Sequence, residues 1–252
     1  MAGAQAVGRR HRLGAAEGPD RTGPHGARGR PRGGGVGLTQ PPPRPRSSFG
    51  PESGPKDDRP GERLGIESFQ GSVHDVAPAL VGCRLFINGV GGVIVETEAY
   101  EREDPASHSF VGLTERTKVM FGPPGRAYVY LSYGIHSLLN FVCEPEGDAA
   151  AVLIRALEPT RDLAVIRERR PAARTDIDLC SGPGKLTEAL GVTLADNAAR
   201  LDREPFLLLP PEGDPPVVVT SPRVGITKAV EKPWRFSAAG SPYVSRPRPG
   251  VA

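Results

Sequence analysis

Val93-Ile94-Val95-Glu96-Thr97-Glu98-Ala99-Tyr100 is the stretch on which the fold turns. Its Val and Ile residues fit the pleated, half-buried surface of a strand. Two carboxylates then interrupt the apolar run. Side chains at i, i+2 and i+4 of a strand share a face, so Glu96, Glu98 and Tyr100 line up with Ile94, while Val93, Val95, Thr97 and Ala99 take the other side. A carboxylate beside an aromatic ring at the end of an apolar strand is partly desolvated, which disfavours its charge and poises it for general-base work. Taken alone, the run reads equally well as an edge strand with one solvated face of acids.

Working outward, Arg84–Ile87 pairs with this strand as a hairpin across Asn88-Gly89, a dipeptide favoured in tight turns. Val73–Val81 has helical spacing. Beyond a loop from Glu101 to Thr117, Gly122-Pro123-Pro124-Gly125 is a turn, and Arg126–Gly134 alternates like a strand ending at a glycine. Leu138–Cys143 and the apolar run Ala150–Pro159 read as strands, the second buried and central. Helical patterns occupy Thr160–Arg170 and Gly184–Leu190, and short strands follow at Phe206–Leu209 and Val217–Thr220. Strands and helices mingle without a repeated βα period. The expected fold is therefore α+β (mixed α/β), a single domain around a curved, mostly antiparallel sheet. Gly122–Gly125 and the Ser181-Gly182-Pro183-Gly184-Lys185 run resemble phosphate-cradling loops, but neither completes a nucleotide-binding frame. Their backbone N–H groups remain available to a DNA phosphate.

Composition divides the 252 residues in two. Residues 1–62 hold 14 Gly and 10 Pro with few large apolar side chains, too little apolar surface to offset the entropy of ordering, so a disordered tail is expected there and a catalytic domain over 63–248. The tail carries 11 Lys or Arg against 6 Asp or Glu, and the remainder 21 against 23. A basic arm of this kind would add salt-dependent affinity for a polyanion, while biased codon usage or a start downstream of Met1 accounts for the same composition more simply. No apolar run is long enough to span a membrane, and the Arg-rich start lacks the apolar core of a secretion signal. Cys83, Cys143 and Cys180 are odd in number and widely spaced, which fits reduced thiols in a cytoplasm and no metal site or other cofactor.

Within sixty residues the chain gathers Glu98, Tyr100, His108, Tyr128, Tyr130, Tyr133, His136, Asn140 and Arg155. A carboxylate, an imidazole, an amide and several rings near strand ends suit a pocket for a flat polar ligand such as a nucleobase. In the same order stand VETEAY, His108-Ser109, MFGPPG, YVYLSYG, Asn140, LIRALEP, LCSGPGKL and RVGI, and in this combination the sequence resembles the alkyladenine (3-methylpurine) DNA glycosylase family, as a bacterial-type member, from about Arg63 to Arg246.

The resemblance implies a compact mixed α/β domain with a partly barrel-like antiparallel sheet and a β-hairpin that enters the DNA minor groove. It assigns Glu98 as the general base for the water that attacks C1′. It makes Tyr100, His108 and Tyr130 the residues that sandwich and hydrogen-bond the flipped base, and Tyr133 the ring that fills the space left in the duplex. Asn140 becomes the side chain that crowds the 2-amino group of guanine, and Arg155 a pocket wall near the flipped nucleotide's phosphate and sugar. The implied partner is double-stranded DNA containing damaged purines, met by a monomer associated with the nucleoid. The implied reaction is monofunctional hydrolysis, because no Lys adjoins the carboxylate strand; Lys118 and Lys185 are the residues to test for lyase chemistry.

Two readings from other classes stand beside this one: a non-catalytic damaged-DNA binding module, and an O-glycoside hydrolase using Glu96 with Glu98. Glu96 itself reads as a solvated or salt-bridged strand acid, His136 as a surface or core-edge residue, Tyr128 as packing, and Trp234 as a core anchor. The chain departs from the family's usual run at Glu115 and Thr117, where Pro and Asn are the rule, and Glu115 brings negative charge to a loop expected to face DNA. The acidic balance outside the tail also requires Arg126, Arg155, Lys185, Arg223, Lys228 and Lys232 to gather on one face.

Overall fold

Arg84–Ile87 (β1) and Val90–Tyr100 (β2) form the expected hairpin, with Ile87 opposite Val90 and both turn residues, Asn88 and Gly89, at positive φ. That backbone twist matches the twist of the flanking strands. The computed structural model describes residues 63–249, which lie within one compact unit. The expectation for the basic tail, 1–62, lies outside the described residues.

Six further strands complete the sheet: Ala127–Ser132 (β3), His136–Cys143 (β4), Ala150–Arg161 (β5), Phe206–Leu209 (β6), Val218–Ser221 (β7) and Arg235–Ala238 (β8). All pairings are antiparallel, in the order β3-β4-β5-β2-β1-β6, with β8 joining β2 and β7 joining β8. The sheet curls into a half-barrel, and with the helices it makes a mixed α+β domain. β2 is central rather than an edge. One of its sides pairs with β5 along its length, while the other meets β1 at its start and β8 at Glu96–Glu98.

Two close approaches demand glycine at the start of β2. A Cβ on Gly91 would stand 2.0 Å from the Leu85 carbonyl oxygen, and one on Gly92 1.9 Å from that of Glu158. The strand is squeezed between both neighbours there.

The side-chain period of two sorts β2 to β5 into two faces. Ala127 and Val129, Leu139, Phe141 and Cys143, and Ala150, Val152, Ile154 and Ala156 go to the main core, where Phe69 packs edge-to-face on Phe141 at 5.9 Å. Val73–Ala79 (α1), capped by the Ser72 hydroxyl accepting from the His74 N–H, covers this side, and the Thr97 hydroxyl donates to the Ala77 carbonyl at 2.8 Å. Leu163–Arg169 (α2), Asp176–Leu179 (α3) and Pro183–Leu190 (α4) add Ile166, Leu179, Leu186 and Leu190 to the same core. The opposite face carries polar and aromatic side chains. Register alone places Tyr128, Asn140, Leu153 and Glu98 in one row across four strands.

Several expectations need correction. The strand read as ending near Pro159 continues to Arg161, and the helix begins only at Leu163, after Asp162 in the left-handed region. A proline is tolerated there because β4 pairs β5 only over Ala150–Leu153, so no ladder partner on that side needs its missing N–H. β8 and α3 were not anticipated. Ile94 does not share the face of Glu96: bulges at Ile94–Glu96 and Glu96–Thr97 re-phase the strand, and both Ile94 and Val95 join the core. Nor do the named cations gather on one surface, because Arg155 and Arg223 are each only 5% exposed. Finally, among the described residues no helix is long and apolar enough to cross a membrane.

Gly92→Ala tests the squeeze at β2. Backbone cannot yield as a side chain would, so a loss at or above the upper end of about 1–3 kcal/mol is expected, read from urea unfolding midpoints.

Candidate active site

Glu96 and Glu98, two residues apart, point to the same side of the sheet because both reach Arg155. Their surroundings then diverge. Glu96 accepts from Arg155 Nε at 2.8 Å, from Arg235 Nε at 2.6 Å, and from the Ser245 backbone N–H and hydroxyl at 2.7 and 2.9 Å. Burial opposes its charge, but two guanidinium groups and the hydrogen bonds hold its carboxyl below the usual range. Glu96 is thus salt-bridged as one expectation had it, and not solvated.

Glu98 receives less. Its carboxylate takes the Val224 backbone N–H at 2.8 Å, the Tyr100 hydroxyl at 2.8 Å, and one nitrogen of Arg155 at 3.2 Å. Burial outweighs these partners and, with a small repulsion from Glu96, pushes its carboxyl above the ordinary value. Two neighbouring acids whose environments drive their proton affinities apart are the arrangement that separates a structural charge from a proton acceptor.

Above this row lies an open cavity of about 560 Å³. Tyr100, His108, Tyr130, Asn140, Arg155 and Tyr133 all line it, so the structure brings together six of the seven expected site residues at its wall. Glu98 stands directly behind: it is 0% exposed, and Tyr100, Arg155 and Val224, its three partners, all belong to the lining. Tyr133 sits at the tip of the β3–β4 hairpin, with φ 50° and 91% of its surface exposed, between exposed Leu131 and Ile135. Asn140 is fixed by donating its side-chain N–H to the Tyr128 carbonyl at 3.1 Å.

His108 is held between two groups. Arg116 stands 3.2 Å from Nε2 and has only donors, so Nε2 must accept; Nδ1 therefore carries the proton and donates to the Tyr128 hydroxyl at 3.0 Å. Burial, with help from the nearby Arg116 charge, lowers the imidazole to about 4, and the ring is neutral at physiological pH. It meets Tyr130 edge-on at 4.4 Å, while Arg116 also lies 5.3 Å from the centre of the Tyr130 ring. Burial pushes the Tyr130 phenol up to about 12.

These contacts expose what the sequence reading missed. Arg116, Tyr128, Arg235, Ser245 and the Val224 N–H organise the site. Tyr128 packs as expected, yet it also orients His108. The RVGI run, Arg223–Ile226, supplies Val224, whose N–H holds Glu98. Glu115, expected to bring negative charge to the loop, is paired with Lys118 at 2.7 Å. His136 is exposed at the rim. Trp234 is half-buried and packs against the core, with Lys232 over its ring. Among the described residues no group of three His, Cys, Asp or Glu side chains could hold a metal ion.

The family model for methylpurine-DNA glycosylases matches residues 67–242, the strands and loops that build this cavity. The chain belongs to that family. A relative from Rhodopseudomonas palustris, named "Putative 3-methyladenine DNA glycosylase", is 56% identical over 181 residues, 72% of this chain and 87% of the relative. Proteins of the same name from Nitrosospira multiformis and Rhizobium meliloti are 57% identical over 179 residues and 50% over 181, covering 92% and 95% of those proteins. The glycosylase is therefore a DNA-acting hydrolase of base-excision repair, and the cavity beside Glu98 is its candidate base pocket.

The two glutamates should respond oppositely to loss of charge. Glu96→Gln is expected to cost about 3–5 kcal/mol, the range for removing one partner of a buried pair, whereas Glu98→Gln leaves stability unchanged or raises it. A lowered proton affinity in the folded state stabilises above 4.5 and is lost as pH falls through the folded value, so wild type and Glu96→Gln converge in acid. Denaturant unfolding across pH reads both effects.

Proposed function

We propose that the enzyme is a monofunctional glycosylase that flips alkylated or deaminated purines into the cavity and hydrolyses their N-glycosidic bond, with Glu98 as general base. The class includes 3-methyladenine, 7-methylguanine, hypoxanthine and ethenoadenine. The observation that carries the proposal is the contrast between Glu96, whose charge is locked by two guanidiniums, and Glu98, which is buried and under-compensated at the wall of an aromatic pocket.

In this mechanism Val224 and Arg155 keep the carboxylate in place, and a water taking over the Tyr100 hydroxyl's hydrogen bond meets it at the cavity wall. The water's oxygen bonds to C1′, the C1′–N bond breaks, and the proton passes to Glu98. The base leaves with the bonding electrons, so a cationic N3- or N7-alkylpurine departs neutral, whereas hypoxanthine or ethenoadenine departs as its anion and takes a proton from solvent. The carboxylate also stabilises the oxocarbenium-like sugar as it forms. Tyr100, Tyr130 and the neutral His108 ring hold the flat base, Asn140 crowds the 2-amino group of guanine, and Arg155 borders the sugar. Tyr133, the exposed ring at the hairpin tip, fills the gap in the duplex from the minor groove. No lysine lines the cavity among the described residues, and Lys118 is already paired with Glu115, which supports hydrolysis without lyase chemistry.

Duplexes carrying 7-methylguanine, whose departure needs no added proton, test the base directly. Glu98→Gln should lose at least about 10²–10⁴-fold in single-turnover excision while retaining lesion binding. The wild-type rate should fall in acid with a midpoint above 4.5, the ordinary glutamate value, because protonating Glu98 removes the acceptor. His108, neutral above about 4, adds no second limb. Tight binding with no base release from wild type would instead establish a damage-recognition module.

A further inference from the structure

Arg223 carries no surface charge. Its guanidinium and the Asp104 carboxylate are both fully buried and make a two-pronged pair, Nη1 to Oδ2 and Nη2 to Oδ1, the latter at 3.1 Å. The pair ties together three parts of the cavity wall. Arg223 donates to the Ala99 carbonyl at 2.9 Å, at the end of β2. Asp104 accepts from the Ala106 N–H at 3.0 Å and its carbonyl accepts from the Ser107 N–H, which fixes the loop leading to His108. The residue after Arg223 is Val224, whose N–H holds Glu98.

The guanidinium carbon also lies 4.5 Å from the centre of the Tyr100 ring and 5.0 Å from that of Trp234. Arg223 is absent from the cavity lining whereas Tyr100 belongs to it, so the cation backs the ring from the protein side. A cation on one face of an aromatic ring uses the same quadrupole that a cationic ligand would meet on the other. Inside a protein this competition is strong unless a counter-charge offsets it. Asp104 supplies that counter-charge at hydrogen-bond distance.

We propose that Arg223 and Asp104 are positioning residues that also set lesion preference: Asp104 neutralises the cation behind Tyr100, so that the ring can bind positively charged alkylpurines. The proposal rests on Tyr100 stacking against the flipped base, as in the function proposed above.

The test compares excision of cationic 7-methylguanine with that of neutral ethenoadenine, in single turnover on otherwise identical duplexes. Asp104→Asn leaves Arg223 uncompensated, and the cationic-to-neutral rate ratio should fall about tenfold, on the scale of one buried cation–π contact. The neutral pair Asp104→Asn/Arg223→Gln removes both charges, and the ratio should return to the wild-type value or exceed it. A merely structural role would lower both rates together, in step with the melting temperature, and leave the ratio fixed. An unmoved ratio in folded Asp104→Asn overturns the proposal. If Asp104→Asn does not fold, Arg223→Gln decides: it removes the cation behind Tyr100 and keeps the carboxylate, so the ratio should rise above wild type, and an unmoved or lower ratio overturns the proposal. Wild type excising neither base would sink the function proposed above, whereas wild type excising both with an unmoved ratio sinks only this inference.

Discussion

A buried carboxylate at the middle of a sheet is the constraint from which the rest of this structure follows. Glu96 is inaccessible to water, and an uncompensated charge there would cost several kcal/mol even after relaxation. The protein answers with cations from two different strands and hydrogen bonds from a loop. Arg155 comes from β5, Arg235 from β8, and Ser245 closes the shell from the C-terminal segment, whose carbonyls at Ser245 and Pro247 also take up the remaining donors of Arg235. The ion cluster therefore fixes where β8 docks, and it pins the chain's last described turns against the sheet. Glu98 shares Arg155 with Glu96 and has no second guanidinium of its own, which is why burial outweighs its partners.

That arrangement lets one guanidinium serve both acids. Arg155 touches Glu96 through Nε, Glu98 through Nη1 and Ser245 through Nη2. A planar fork locked at three points cannot swing toward an incoming group, so its effect on Glu98 is constant. A lysine, with a single rotatable ammonium, would have to choose between the two acids. The bulges around Glu96 belong to the same solution, since they turn two apolar residues, Ile94 and Val95, into the core just before the acids begin to face the cavity.

Much of this was legible in the sequence because it depends on local period. The alternation in β2 set Glu98 beside Tyr100, the strand runs around it and the Asn-Gly turn were readable, and the resemblance supplied Tyr130 and Asn140; register then puts Asn140 in one row with Glu98. What escaped depends on partners far along the chain. Arg235-Phe236-Ser237-Ala238 has no strand signature strong enough to stand out after Lys232-Pro233-Trp234, and it is a strand because Glu96 needs Arg235 from 139 residues away. Arg223 read as a surface cation for the same reason: charge in a sequence does not disclose its counter-charge. The bulges left no trace either, since nothing in Ile94-Val95-Glu96 marks an extra residue.

The pocket's polarity is then a balance of pairs rather than a sum of charges. Glu96 and Glu98 face Arg155 and Arg235; Asp104 faces Arg223; Glu115 faces Lys118 on the loop outside. Each pair is close to neutral at a distance but strongly dipolar within the first few ångströms, where low dielectric magnifies it. Arg116 lines the cavity beside these pairs, held on His108 Nε2 and over the Tyr130 ring. In the function proposed above, selection acts on a base already inside, beside the Tyr100 ring that Arg223 backs and the His108 ring whose Nε2 lone pair Arg116 takes up. On that reading, discrimination among lesions is separate from affinity for the duplex, and the two properties can be altered by different residues.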